Sequence, residues 1–117
     1  MDKLLFTGAS GFLGYNVLPY LQMQFDVKTM GLSPRDTYNV NIATTVPVLN
    51  EKFDVVLHAA GKAHVVPKSK EEEKLFFDIN YQGTVNVCRS LESSGIPKAF
   101  IFISTVAVYG LSSSFWA

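Results

Sequence analysis

Three glycines near the amino terminus have the spacing of a phosphate-binding turn. Gly8, Gly11 and Gly14 recur at every third position. The first permits a tight turn, the second removes a Cβ where a phosphate approaches backbone amides, and the third lets a helix lie close to a strand. No Gly-Lys-Ser/Thr follows, which argues against a kinase or GTPase loop. We predict that this turn binds a phosphate-containing cofactor through Gly8, Ser10, Gly11, Phe12, Leu13 and Gly14.

The turn needs a strand before it and a helix after it. Lys3–Thr7 is a short apolar run that ends at glycine, which is typical of a buried parallel strand. Gly14–Gln24 carries apolar residues at helical spacing. In an open parallel sheet, the pyrophosphate of a dinucleotide lies at such a strand-to-helix junction. A glycine-rich connector without function is the alternative interpretation.

The rest of the chain alternates in the same way. Further strands are predicted at Asp26–Met30, Tyr38–Ile42, Phe53–His58 and Ala99–Ser104, a short imperfect helix at Thr44–Lys52, and a long helix from Ser69 to Gly95-Ile96-Pro97. Alternating strands and helices predict an α/β fold, a doubly wound parallel sheet of about five strands. We expect residues 1–110 to form this domain and residues 111–117 to be an irregular tail.

Composition excludes several classes of protein. The 117 residues are enough for one domain, and 48% of them are hydrophobic. The 10 Lys and Arg cancel the 10 Asp and Glu, so nucleic acid or an anionic membrane is not an expected partner. Cys88 is the only cysteine, which favours a reducing compartment, the cytoplasm, and no metal site. No signal peptide or membrane-spanning run is recognisable.

The loop after the second strand bears on the choice of dinucleotide. An acidic residue that binds the adenosine ribose normally ends this strand, and Gly31 stands there instead. Ser33 and Arg35 follow and could meet a 2′-phosphate. The sequence therefore predicts NAD(P), with NADP favoured over NAD. Arg35 as an ordinary solvated charge is the alternative.

Three motifs occur in order along the chain: the glycine turn, His58-Ala59-Ala60-Gly61, and Ser104-Thr105-x-x-Val108-Tyr109-Gly110. Together they resemble the extended short-chain dehydrogenase/reductases, specifically the NAD-dependent epimerase/dehydratases of nucleotide sugars. The resemblance implies an NAD(P)-binding Rossmann-like fold and a nucleotide-sugar substrate. It further implies cofactor contacts at Ala59, Ala60, Gly61, Asn41, Ile42 and Asn80, although Asn41 replaces the family's usual Asp.

The resemblance also implies one catalytic residue. Thr105 matches the Ser/Thr that binds the reacting sugar hydroxyl, and the alternative is a threonine that satisfies local backbone. Lys62 and His64 resemble residues near the substrate, with solvated loop side chains as the alternative. His58 is expected to be a packing residue at the end of its strand.

The family's Tyr-x-x-x-Lys pair is absent, because Ser113 stands four residues after Tyr109. We therefore expect an N-terminal dinucleotide-binding part without turnover of its own. The fifth strand would then be a sheet edge, which predicts a homo-oligomer. The competing hypotheses are a non-catalytic NAD(P)-binding or redox-sensing module and an interaction protein that binds no dinucleotide.

Overall fold

The computed structural model describes residues 1–59 and 68–103, which form one five-stranded parallel sheet and two helices. The elements are β1 (Lys3–Thr7), α1 (Phe12–Gln22), β2 (Asp26–Gly31), β3 (Tyr38–Asn39), β4 (Val55–His58), α2 (Lys70–Ser94) and β5 (Ala99–Phe102). The strand order is β3-β2-β1-β4-β5. The predicted α/β fold is confirmed, while the domain boundary at residue 110 lies outside the described residues.

The two helices cover opposite faces of the sheet. Leu4 and Phe6 of β1 point to one face, where they pack with the apolar side of α1. Leu5 points to the other face, where Val87 and Leu91 of α2 join it. Because β1 is buried on both faces, its apolar residues need not alternate with polar ones. This arrangement makes the sheet doubly wound, as predicted.

Helix α2 starts and ends at the predicted signals. The hydroxyl of Ser69 accepts a hydrogen bond from the Glu72 amide at 3.1 Å and caps the first turn. Three glutamates in that turn oppose the positive end of the helix dipole. Gly95, with a φ of 127°, ends the helix in a conformation that side chains rarely adopt.

Some predicted boundaries were wrong. Helix α1 begins at Phe12, two residues earlier than predicted, and β3 stops at Asn39 rather than Ile42. Strands β4 and β5 are each shorter than predicted, and Ser104 lies outside the described residues. No helix forms over Thr44–Lys52. Pro47 lacks an amide donor and disfavours helical backbone at Val46, which explains the last difference.

Candidate functional site

The order in which the chain adds strands to the sheet reverses between β1 and β4. From β1 the chain proceeds outward to β2 and β3, and then returns to place β4 on the other side of β1. Helices above and below leave a crevice at the carboxyl ends of the strands where such a reversal occurs, and ligands of open α/β sheets bind there. The glycine turn, the loop after β2 and the end of β4 all lie at this edge.

Gly8 has a conformational role in the turn. Its φ is 78°, in the left-handed region that glycine adopts without strain. Its amide donates to the Met30 carbonyl of β2 at 3.0 Å, which joins the turn directly to the end of the neighbouring strand. The Gly8 amide is therefore used inside the protein, and it is not one of the exposed donors.

Gly14 has a packing role. A Cβ at this position would lie 2.0 Å from the backbone oxygen of Ala9, far inside van der Waals contact. Helix α1 can therefore approach the turn this closely only with glycine at position 14. The close approach predicted for this glycine is therefore present, but it is made to Ala9 in the turn and not to a strand.

Gly11 has neither role. Its φ is −78°, and a Cβ there would meet only the Gly8 carbonyl oxygen, at an ordinary 3.4 Å. Its own amide donates to that same oxygen at 3.1 Å. The protein's own packing and backbone do not require glycine at this exposed position.

The start of α1 has no side-chain cap. Gly11 occupies the N-cap position, where no side-chain oxygen accepts a hydrogen bond, and the first turn holds no acidic residue. The first helical hydrogen bond runs from the Tyr15 amide to the Gly11 carbonyl at 2.9 Å. The amides of Phe12, Leu13 and Gly14 precede it, and the first amides of a helix have no carbonyl partner within the helix. Ser10 and Leu13 flank this end as exposed residues. Such an end attracts an anion through its amides and its dipole.

The loop after β2 places the carboxylate of Asp36 beside Gly31, a position that the order of residues does not indicate. A Cβ on Gly31 would lie 2.7 Å from Oδ2 of Asp36. The same oxygen accepts from the Ser33 amide at 3.0 Å, and the Ser33 hydroxyl accepts from the Arg35 amide at 3.2 Å. Position 31 itself has no acidic side chain, as the sequence shows. The folded loop nevertheless places the carboxylate of Asp36 at the end of β2, so the expectation that no acidic group lies there is wrong.

The segment after β3 is fixed against α2. Nδ2 of Asn86 donates to the Ile42 carbonyl at 2.7 Å, and the Ile42 side chain fills the space left by Gly83. The Asn41 side-chain oxygen accepts from the Ala43 amide at 3.1 Å, which turns the chain and ends β3. Asn41 and Ile42 are thereby held beside α2.

His58 joins β1, β4 and α2 through a chain of hydrogen bonds. The Thr84 hydroxyl donates to the Asn80 carbonyl at 2.9 Å, so it accepts from Nε2 of His58, also at 2.9 Å. Nδ1 of the neutral ring then accepts from the Thr7 hydroxyl. That hydroxyl oxygen also accepts from the Ala59 amide at 3.2 Å. These donors and acceptors define the Nε2–H tautomer of the imidazole.

Burial keeps this imidazole neutral. His58 is 1% exposed, and the rings of Phe100 and Phe102 lie with their centroids 5.9 and 5.6 Å from its own. Desolvation lowers the pKa of His58 from 6.5 to about 4. The expected packing role at the strand end is confirmed, with a polar network added to it.

The predicted site residues divide into those that the structure brings together and those it does not describe. Three loops at one sheet edge hold the glycine turn, Ser33 with Arg35, and Ala59. Asn41 and Ile42 lie beside α2, and Asn80 is part of that helix. Outside the described residues are Ala60, Gly61, Lys62, His64, Thr105 and Tyr109.

Sequence reasoning missed three residues. The Asp36 carboxylate lies beside Gly31, five residues earlier in the chain. Asn86 and Thr84 lie on the inner side of α2, where they contact Ile42 and His58. A polar residue on the apolar side of a helix is the available signal for the last two, because a buried polar group needs a partner. Nothing in the order of residues marks Asp36.

Residues 1–59 and 68–103 contain no group of three or more His, Cys, Asp or Glu side chains that could hold a metal ion. Neither of the two helices there could span a membrane. A cavity of about 400 Å³ lies between residues 37–40 and 45–48, and no residue of the glycine turn lines it.

Comparison with known proteins decides the family. Residues 4–115 match the family model described as the NAD dependent epimerase/dehydratase family. The chain belongs to this family. The glycine turn and the uncapped start of α1 thus lie in a member of a group whose description includes NAD.

Two curated relatives illustrate the similarity. UDP-glucose 4-epimerase from Vibrio cholerae is 33% identical over 120 residues, which cover 92% of this chain and 36% of that protein. GDP-6-deoxy-D-mannose reductase from Pseudomonas aeruginosa is 29% identical over 109 residues, covering 93% of this chain and 36% of that protein. The chain thus spans about a third of the length of these relatives.

Solved structures share the fold. A Pseudomonas aeruginosa protein complexed with NADPH superposes with a TM-score of 0.69 at 26% identity, covering 97% of this chain and 38% of that one. Uronate dehydrogenase from Agrobacterium tumefaciens, in a complex with NAD, gives 0.65 at 25% identity, covering 90% of this chain and 41% of that one. A UDP-galactose 4-epimerase at 20% identity gives 0.73, covers 95% of this chain and 41% of that one, and shows the fold alone.

Proposed function

We propose that the chain is the dinucleotide-binding part of an NAD(P)-dependent epimerase/dehydratase that acts on nucleotide sugars. The observation that carries the proposal is Gly11 at the uncapped start of α1. Neither its backbone nor its packing explains the missing side chain, whereas a pyrophosphate lying on the helix end does.

The proposed binding residues divide by the part of the dinucleotide they meet. The amides at the start of α1, flanked by Ser10 and Leu13, would hold the pyrophosphate. Asn41 and Ile42 would line the adenine. The segment from Ala59 to Gly61, which follows β4 in the sequence, would lie along the cofactor, with Asn80 bracing the sheet beside it. A bound dinucleotide supplies a hydride acceptor or donor, which these residues orient.

The substrate assignment rests on the family and the relatives. Both curated relatives described above are named for sugar nucleotides or their products. Thr105 is proposed to bind the reacting sugar hydroxyl. A non-catalytic NAD(P)-binding or redox-sensing module is the second candidate, because such a module needs the glycine turn and no catalytic hydroxyl at Thr105. A catalytic pair elsewhere in a longer protein would favour the enzyme.

Two further parts of the proposal concern the chain's surroundings. Self-association is supported by β5, which has β4 as its one neighbour among the strands of residues 1–59 and 68–103. Its residues Phe100, Ile101 and Phe102 are between 37% and 52% exposed. Light scattering measures it. The cytoplasm remains the proposed compartment. The NADP preference stays a prediction of the sequence that rests on the absence of an acid at position 31.

The Gly11→Val substitution tests the dinucleotide proposal. Extended backbone at the N-cap accepts a β-branched residue, so the fold should persist, while the new side chain covers the helix end. Loss of charge-assisted contacts to phosphate is expected to weaken NADH and NADPH binding by at least about tenfold. Fluorescence titration of the reduced dinucleotides measures this.

Tyr20→Val is the matched control, because Tyr20 is an exposed residue on the same helix, away from the turn. It should bind dinucleotide as the wild type does. Unchanged affinity in the Gly11 variant, with its urea midpoint near that of the control, would remove the basis of the proposal.

A further inference from the structure

The carboxylate of Asp36 occupies the place where a side chain at position 31 would begin. Gly31 is the last residue of β2, and a Cβ added to it would lie 2.7 Å from Oδ2 of Asp36. Any larger residue at position 31 would displace this carboxylate. Glycine at 31 and aspartate at 36 are therefore a matched pair.

The placement is fixed by the local backbone. Oδ2 of Asp36 accepts from the Ser33 amide, and the Asp36 amide donates to the Ser33 carbonyl, both at 3.0 Å. Nδ2 of Asn39 donates to the same carbonyl at 2.7 Å. Beyond the loop, Thr29 and Thr37 exchange two backbone-to-hydroxyl hydrogen bonds at 3.2 and 3.1 Å. The loop thus closes onto β2 and returns Asp36 to its end.

The carboxylate keeps the capacity to accept more hydrogen bonds. A carboxylate has about four acceptor positions, and the Ser33 amide is the donor that the loop provides. Within residues 1–59 and 68–103, Asp36 has no salt-bridge partner, and the neighbouring Arg35 is exposed. The negative charge therefore remains available to a ligand at the end of β2.

This end of β2 directly adjoins the glycine turn. The Met30 carbonyl, one residue before Gly31, accepts the Gly8 amide at 3.0 Å. An adenosine attached to a pyrophosphate on α1 would have its ribose here, where a carboxylate accepts from ribose hydroxyls and repels a phosphate on the 2′ position.

We infer that Asp36 is the specificity-determining residue for the adenosine ribose and makes the chain prefer NAD over NADP. The inference rests on the proposed dinucleotide site and opposes the preference predicted from sequence order. Ser33 and Arg35 still supply the groups that could meet a 2′-phosphate, and Asp36 is the group that opposes it.

The Asp36→Asn substitution tests this inference. Asparagine retains an oxygen that can accept from Ser33, so the loop should keep its shape while losing the charge. The wild type should bind NADH more tightly than NADPH. In the variant, NADH should weaken by about tenfold and NADPH should tighten, which reverses the ratio of their dissociation constants. Titration of both reduced dinucleotides with the purified chain gives this ratio.

Four further variants sharpen the test. Leu32→Ala, an exposed change in the same loop, should leave the ratio unchanged. Asp36→Ala should abolish the NADH preference, and the double variant Gly31→Asp/Asp36→Ala should restore it by returning the carboxylate to the strand end. Adding Arg35→Ala to Asp36→Asn should remove the gain in NADPH affinity.

The possible failures are distinguishable. A wild type that binds both dinucleotides but prefers NADPH, or a ratio that Asp36→Asn does not change, overturns the inference and leaves the proposed function intact. A wild type that binds neither dinucleotide overturns the proposed function, and the inference with it.

Discussion

Two loops at the same edge of the sheet reach their geometry in different ways. In the loop after β1 and the helix start that follows it, residues 8–14, glycines act where they stand in the sequence, through a positive φ at Gly8 and a close approach at Gly14. In the loop after β2, residues 32–37, the decisive group is a side chain that returns from Asp36 to Gly31. Spacing along the chain therefore predicts the first loop well and the second loop badly.

The largest expected effect belongs to the first loop. Gly14→Ala places a Cβ 2.0 Å from the Ala9 carbonyl oxygen, so α1 must move away from the turn. We expect a loss of about 3 kcal/mol in the free energy of unfolding. If Gly14 were merely a weak point in a helix, alanine would instead stabilise by about 1 kcal/mol. Urea denaturation decides the sign, and a stabilised variant contradicts the packing role.

That contrast also explains what the sequence could predict. Backbone requirements are written into residue types, so Gly8, Gly14 and Gly95 mark their turns without tertiary information. The apolar runs of β1 and β4 likewise predict strands, because buried parallel strands need no alternation. Contacts made by side chains across the fold leave no such mark. The packing of α2 against the sheet determines two such hydrogen bonds, between Asn86 and Ile42 and between Thr84 and His58.

The second largest expected effect is a pH-dependent loss of stability caused by His58, at the end of β4. Native His58, with a pKa of about 4, stays neutral while the unfolded chain takes up a proton below pH 6.5. The unfolded state then binds more protons, so stability falls as the pH falls from 6.5 to 4, by about 3 kcal/mol in all.

The His58→Gln variant isolates this contribution, because glutamine is polar and does not titrate. Urea midpoints of both proteins at pH 7.5, 6 and 5 should converge as the pH falls. The lowered pKa of Glu51, caused first by the hydrogen bond from Tyr38, contributes equally to both. Parallel curves over this range would mean that the imidazole is not held neutral by the fold.

The smallest effect belongs to the second loop. Thr37→Val removes a hydroxyl that accepts from the exposed Thr29 amide at 3.2 Å, and water can replace it there. We expect a loss of about 0.5 to 1 kcal/mol in unfolding free energy. Because the loop's return loosens, the NADH preference should also decrease. Valine at 37 with an unchanged preference would show that the turn around Ser33 positions Asp36 by itself.

The central pairing of β1 with β4 has a consequence for folding kinetics. Thr7 and His58 are 51 residues apart in the chain, yet their strands are neighbours in the middle of the sheet. Closing so long a segment costs entropy before the contacts repay it, so parallel sheets of this kind fold slowly. During synthesis, β1 has an open edge until β4 leaves the ribosome, which is an interval in which a chaperone can act.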